Sequence, residues 1–167
     1  MRKKNRTRIL GIDPGTRNIG FALFDGGDLV HYGVKTIQAK NSPHETLKAG
    51  RRIILRLISD FSPDSLVVEK TFFAKSRNAA LLNVFGDEIK ALGKRRGLQV
   101  QSFAANTVRK IICGNGAASK DDVAKAMVSH YPELKPYLTS DRKWKERYQR
   151  NMFDAVALAM VAGRFGK

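Results

Sequence analysis

ILGIDPGTRNIGFALFDGGDLVHYGVKTI, residues 9–37, decides the fold class. The stretch holds three apolar or alternating runs, at 9–13, 19–24 and 29–37, separated by Pro14-Gly15 and by Gly26-Gly27. Runs of this length between glycine and proline read as strands. Connections this short join antiparallel neighbours.

Beyond residue 37 the pattern changes. Ser42-Pro43-His44-Glu45 has the form of a capping box with proline at the first helical position, and a basic amphipathic helix follows to about residue 60. Leu66-Val67-Val68-Glu69 is a short strand with no polar residue before its glutamate, the pattern of a strand covered on both faces. A long helix over about 77–96 carries Leu81, Phe85, Ile89 and Leu92 on one stripe. Lys94, Arg95 and Arg96 fill its last turn and Gly97 ends it. Residues 98–103 read as a strand, and Ser119-Lys120-Asp121-Asp122 is a second capping box opening a helix to about His130. Residues 132–142 read as loop, and a last helix of small and apolar residues runs over about 151–164. Three strands followed by alternating helix and strand make an α/β domain, with a mixed central sheet of about five strands flanked by helices. Residues 1–8 are expected to form a flexible basic arm ahead of a single domain over 9–167. Neither an internal repeat nor a linker interrupts it.

Composition narrows the function classes. The 167 residues carry 31 Lys and Arg against 15 Asp and Glu, a net charge of +16. Such a charge implies a polyanionic partner. Nucleic acid is favoured over a membrane surface, because the basic residues are spread along the chain rather than gathered on one amphipathic helix. The single cysteine, Cys113, excludes an internal disulfide and sits in the apolar run 111–113, which reads as core. No Cys/His cluster suits zinc. The basic N-terminus has no apolar stretch behind it and does not read as a signal peptide. No apolar run approaches the ~20 residues that span a bilayer. These features imply a cytoplasmic protein.

Three carboxylates stand in segments that should be buried. Asp13 ends the apolar run Ile9-Leu10-Gly11-Ile12, Glu69 ends Leu66-Val67-Val68, and Asp154 interrupts the small, apolar last helix. A buried charge costs several kcal/mol unless something compensates it. Each acid alone reads equally well as a turn aspartate, a strand-end glutamate or a helix cap. Three together on a strongly basic chain suit hard cations, Mg²⁺ or Mn²⁺, since oxygen ligands without His or Cys select that class. Up to two such ions are what in-line phosphodiester hydrolysis needs.

These residues carry a family resemblance. Gly11-Ile12-Asp13-Pro14-Gly15-Thr16, then Val68-Glu69 with Phe72-Phe73-Ala74-Lys75 and Asn78-Ala79, resembles the bacterial Holliday junction resolvase RuvC, of the RNase H-like superfamily. So do Val108-Arg109, leading through Gly114-Asn115-Gly116 to Lys120, and Asp154-Ala155-Val156-Ala157-Leu158-Ala159. The first motif alone is shared by actin-like ATPases and sugar kinases, but those need a second comparable domain. No nucleotide cofactor is therefore expected. The resemblance implies a Mg²⁺-dependent endonuclease acting on branched DNA such as four-way junctions, and a homodimer paired through the helix at 77–96. Val84 or Leu81 would supply the exposed apolar edge of that pairing; the alternative is that both are core residues.

Residue by residue, the resemblance places Asp13, Glu69 and Asp154 on the family's metal-binding acids and Phe72 on an aromatic that stacks on bases. Arg109 and Lys120 fall on basic positions near the scissile phosphate. Phe73, Lys75, Arg77 and Lys110 flank these positions as further DNA contacts. Alternatives remain open: Phe72 and Phe73 as core, and Lys120 as a solvated first-turn residue. Asp121 and Asp122 read as helix-start acids. Three residues before Asp154 the family has an acid or histidine as a fourth ligand, and here Asn151 stands there. Asn151 is then either a neutral fourth ligand or the cap of the last helix. A junction-binding protein with weak or lost cleavage, and a relative of the YqgF nucleases, are the competing functional readings.

Overall fold

In the computed structural model, which describes residues 6–38, 42–70, 77–138 and 143–165, the opening stretch forms a three-stranded antiparallel meander. Its strands are β1 (Arg8–Asp13), β2 (Asn18–Asp25) and β3 (Asp28–Thr36). Helix α1 (Pro43–Phe61) then returns the chain to β4 (Ser65–Lys70), which lies parallel to β1. Helix α2 (Arg77–Arg95) leads to β5 (Gln99–Ala104), parallel to β4. The sheet order is β3-β2-β1-β4-β5. The chain continues through α3 (Ala105–Cys113) and α4 (Lys120–His130). A 3₁₀ turn (Pro132–Leu134), the short α5 (Lys135–Leu138) and α6 (Lys143–Phe165) complete it.

Strand periodicity sorts the core into two layers. Leu10, Ile12, Phe21, Leu23, Leu66 and Val68 project to one face, where they pack with Ile54 and Ile58 of α1 and Phe85 and Ile89 of α2. Their neighbours Ala22, Phe24 and Val67 project to the other face, against α4 and the buried run of α6 from Met152 to Ala162. Successive strand residues alternate between faces. The residue after Ile12 and the one after Val68 therefore belong to the α6 face.

The local signals behave as their chemistry requires. The Ser42 hydroxyl accepts from the Glu45 N–H at 3.1 Å, with Pro43 opening α1. At α4 the capping box is complete: Ser119 Oγ accepts from the Asp122 N–H at 3.1 Å, and the Asp122 carboxylate accepts from the Ser119 N–H at 2.8 Å.

Four expectations need correction, and one element, α3, was not anticipated. Arg8 belongs to β1, not to a free arm; its N–H donates to Asp64 at 2.7 Å and its Nε to Asp25 at 3.1 Å. Helix α3 carries no side-chain cap at Ala104, so the sequence held no start signal for it. The stretch read as loop after Tyr131 contains the 3₁₀ turn and α5. The last helix begins at Lys143 rather than Asn151, because a polar segment continues it beyond its apolar run. Cys113, read as core, is only half-buried at the end of α3.

Candidate active site

The three acids meet because of strand register. Ile12 pairs with Val68 across the parallel β1–β4 ladder. Asp13 and Glu69 are the next residues of adjacent strands, at carboxyl ends, where sites collect in α/β sheets. Both belong to the α6 face. Helix α6 approaches that face closely because β1 has a glycine beneath it: a Cβ on Gly11 would stand 2.6 Å from the Ala155 carbonyl oxygen and 2.8 Å from the Ala159 Cβ. Asp154, beside Ala155, is thereby carried onto the strand ends. One carboxylate oxygen from each of Asp13, Glu69 and Asp154 lies within 4.8 Å of the others. Among the described residues this is the one cluster of three or more groups that could hold a metal ion.

The electrostatics of the cluster are unfavourable by themselves. Asp13 is only 8% exposed. Burial pushes its carboxyl well above its ordinary range, and the charges of Glu69 and Asp154 push it further, with Lys120 opposing. Glu69 is raised too, first by burial and then by Asp154, while a hydrogen bond with Asp13, then Lys120 and Arg109, pull it down. Acids held so close in low dielectric resist ionising together unless cations join them. An all-oxygen set of this kind fits a hard divalent ion.

One cation is already built in. The capping box sets Lys120 at the first position of α4, and its Nζ donates to Asp154 Oδ2 at 3.2 Å. Burial works against the ammonium charge. Asp154, Asp13 and Glu69 outweigh that effect and raise the Lys120 pKa. Lys120 is thus a first-turn residue, 47% exposed, that is also ion-paired to Asp154. Arg109 of α3 lines a small cavity with Glu69, Lys120 and Asp154. A wider open cleft of about 390 Å³ is lined by the Pro14–Asn18 turn together with Asp13, Glu69, Leu82, Lys120 and Asn151.

The remaining candidates divide. Asn151 reaches the cleft, but from the interior of α6, which excludes its role as a cap. Its Nδ2 donates to the Asn18 carbonyl at 2.9 Å. Lys110 is exposed and lines neither cavity. Phe72, Phe73 and Lys75 lie outside the described residues, as does the side chain of Arg77, whose backbone opens α2. Asp122 acts as the helix-start acid expected of it, and Asp121 pairs with Arg150 at 3.7 Å. His31 stacks on Phe61 at 4.9 Å between ring centroids, away from the site. Sequence reading missed Arg17, Asn18 and Leu82 in the cleft wall. Asn18 contributes a backbone carbonyl, which no side-chain pattern announces.

A family model described as crossover junction endodeoxyribonuclease RuvC matches residues 9–161. The chain belongs to the RuvC family. Of the two families the motifs suggested, RuvC is the one this match carries. A RuvC from Acidiphilium cryptum is 35% identical over 124 residues, covering 71% of this chain and 74% of that protein. One from Geobacter metallireducens is 32% identical over 142 residues, covering 80% and 86%. Among solved structures, T. thermophilus RuvC in complex with Holliday junction substrate superposes with a TM-score of 0.73 at 19% identity, over 96% of this chain and 94% of that one. The yeast mitochondrial Holliday junction resolvase Ydc2 gives 0.64 at 15% identity, over 93% and 77%. At such identities the structural likeness is one of fold, and the RNase H-like architecture expected of a RuvC-family chain is the one found.

Proposed function

We propose that this RuvC-family chain is a structure-selective endonuclease that hydrolyses phosphodiester bonds in branched DNA, four-way junctions above all. The observation that carries the reading is the carboxylate trio, three buried or half-buried acids within 4.8 Å in a chain of net charge +16. Asp13, Glu69 and Asp154 would hold Mg²⁺ or Mn²⁺. When bound, such ions activate a water and stabilise the leaving oxygen. The chain's own groups do the rest. Arg109 and Lys120 border the trio on one side and place positive charge where a phosphate must enter. Lys120 holds Asp154 in place through its 3.2 Å contact. By the family resemblance, Phe72, Phe73, Lys75 and Arg77 would supply stacking and further phosphate contacts.

A second reading, junction binding with weak cleavage, has one observation behind it. Asn151 brings no charge to the site, and its amide nitrogen is taken up by the backbone carbonyl of Asn18. One experiment separates the two. Synthetic four-way, three-way and linear DNA are incubated with the protein, with and without Mg²⁺. Metal-dependent cutting of the four-way junction is the expected result. Binding without cutting at any Mg²⁺ or Mn²⁺ concentration supports the second reading, and cutting that persists in EDTA sinks the metal-nuclease reading.

A further inference from the structure

Asn151 is where this chain departs from the ligand pattern its family resemblance implies, and the backbone around it is shaped to the departure. Its Nδ2 donates to the Asn18 carbonyl at 2.9 Å. Only the NH₂ end of an amide can donate to a carbonyl, so the bond fixes which way the side chain is turned. Two glycines let this turn of α6 lie directly on the β1–β2 connection. A Cβ on Gly20 would overlap the Asn151 carbonyl oxygen. One on Gly15 would overlap the Asn18 carbonyl oxygen and stand 3.1 Å from Asn151 Nδ2. An ionised aspartate at 151 could not make the bond, since carboxylate and carbonyl are both acceptors. The turn fastened in this way is the one that leaves Asp13. Asp154, three residues along α6, shares a helix face with Asn151.

Resting on the metal-nuclease reading above, we propose that Asn151 acts through its Nδ2 as a positioning residue and that its uncharged Oδ1 adds no metal affinity. Its amide fastens α6 to the β1–β2 turn and so sets Asp154 against Asp13. In most of the family's pattern that position adds charge. In this chain it adds a strut, and the metal is left to three acids.

Thermal melts of wild type, Asn151→Ala and Asn151→Asp, each in EDTA and in Mn²⁺, separate strut from ligand. A strut acts whether or not metal is bound. Asn151→Ala should then melt about 2–4 °C lower in EDTA, the shift a single lost hydrogen bond produces in a chain of this size. The Mn²⁺-induced rise in Tm, which reports metal affinity through linkage, should match that of wild type. Asn151→Asp should melt lower still in EDTA, because it loses the same bond and adds a fourth acid beside the trio. At 25 °C, where all three remain folded, kcat on a four-way junction should fall about tenfold in Asn151→Ala with KM unchanged. Displacement of reacting groups by about 1 Å costs up to ~10²-fold, and a merely structural bond would leave kcat alone. An Asn151→Ala protein with an unchanged melt in EDTA but a smaller Mn²⁺-induced rise would overturn the proposal in favour of a ligand. So would an Asn151→Asp protein with an unchanged EDTA melt and a larger rise. If wild type shows no Mn²⁺-induced rise, the metal-nuclease reading itself fails, while the EDTA melts still decide the strut.

Discussion

Asp13 carries the largest burden of the three acids, because burial and two neighbouring carboxylates all act against its charge. An acid whose folded pKa lies above its unfolded value binds its proton more tightly when folded. Stability then falls as pH rises from the ordinary 3.8 through the raised folded value. Glu69, raised from 4.5, acts in the same direction. In EDTA, wild type minus Asp13→Asn should therefore give a Tm difference that grows more unfavourable to wild type across that window and stays so at neutral pH. Excess Mg²⁺ should remove it. A difference curve flat with pH would mean the trio is not strained. The same substitution tests chemistry. Even residues that only orient metal ligands cost 10–100-fold when lost, so losing a ligand should lower junction cutting by at least about 100-fold. Junction affinity in a gel-shift assay should hold or tighten, since a charge that repels phosphate has gone. An Asp13→Asn protein that cuts at the wild-type rate would refute the assignment. This residue was legible early, because an acid ending an apolar strand is costly and asks for a partner.

The elements were legible to unequal degrees, for reasons their residues make plain. Short apolar runs bounded by glycine and proline, the unbroken run Leu66-Val67-Val68 and the two capping serines announced the sheet, α1 and α4. Helix α3 was silent because Ala104 offers no capping side chain. The start of α6 was missed because its polar first turns lack the apolar run that marks residues from Met152 onward. The glycine under α6 and the carbonyl of Asn18, which shape the site, speak only through close approach in three dimensions. Helix α2 shows the opposite case, a feature readable in sequence that leaves an apolar residue exposed among the described residues. Phe85, Ile89 and Leu92 are buried, Leu81 is half-buried, and Val84 is 53% exposed. If α2 pairs two copies, symmetry places Val84 at the contact twice. Burying one valine contributes about 1.5 kcal/mol, so Val84→Lys should remove about 3 kcal/mol per dimer. That weakens dimerisation at least 100-fold. Light scattering at micromolar concentration should show a dimer for wild type and a monomer for Val84→Lys, with unchanged circular dichroism. A monomeric wild type, with and without DNA, would remove the dimer from the account.

At the scale of the molecule, a net charge of +16 surrounds a site that is itself acidic. Without metal, the trio repels the phosphate it is meant to cut, so affinity has to come from cations outside it. Such affinity is released-counterion affinity and must fall with salt. For six to ten phosphate contacts the loss is roughly 10³–10⁵-fold between 50 and 200 mM. The expectation, measured by fluorescence anisotropy in EDTA, is a steep linear fall of log affinity against log salt for a four-way junction. Linear duplex should fall in parallel, because phosphate contacts position the protein while branch shape supplies the preference. The two basic residues nearest the acids should then separate. Removing a phosphate-contacting cation reduces the salt slope by about one, which is the expectation for Arg109→Ala. Lys120 is already ion-paired to Asp154 at 3.2 Å. Part of its charge is therefore spent inside the protein, and Lys120→Ala should reduce the slope by less while impairing cutting more than binding. Equal slopes for the two variants would mean that Lys120 faces the phosphate as freely as Arg109. A salt-insensitive affinity would mean that the charge of the molecule has some other purpose than gripping DNA.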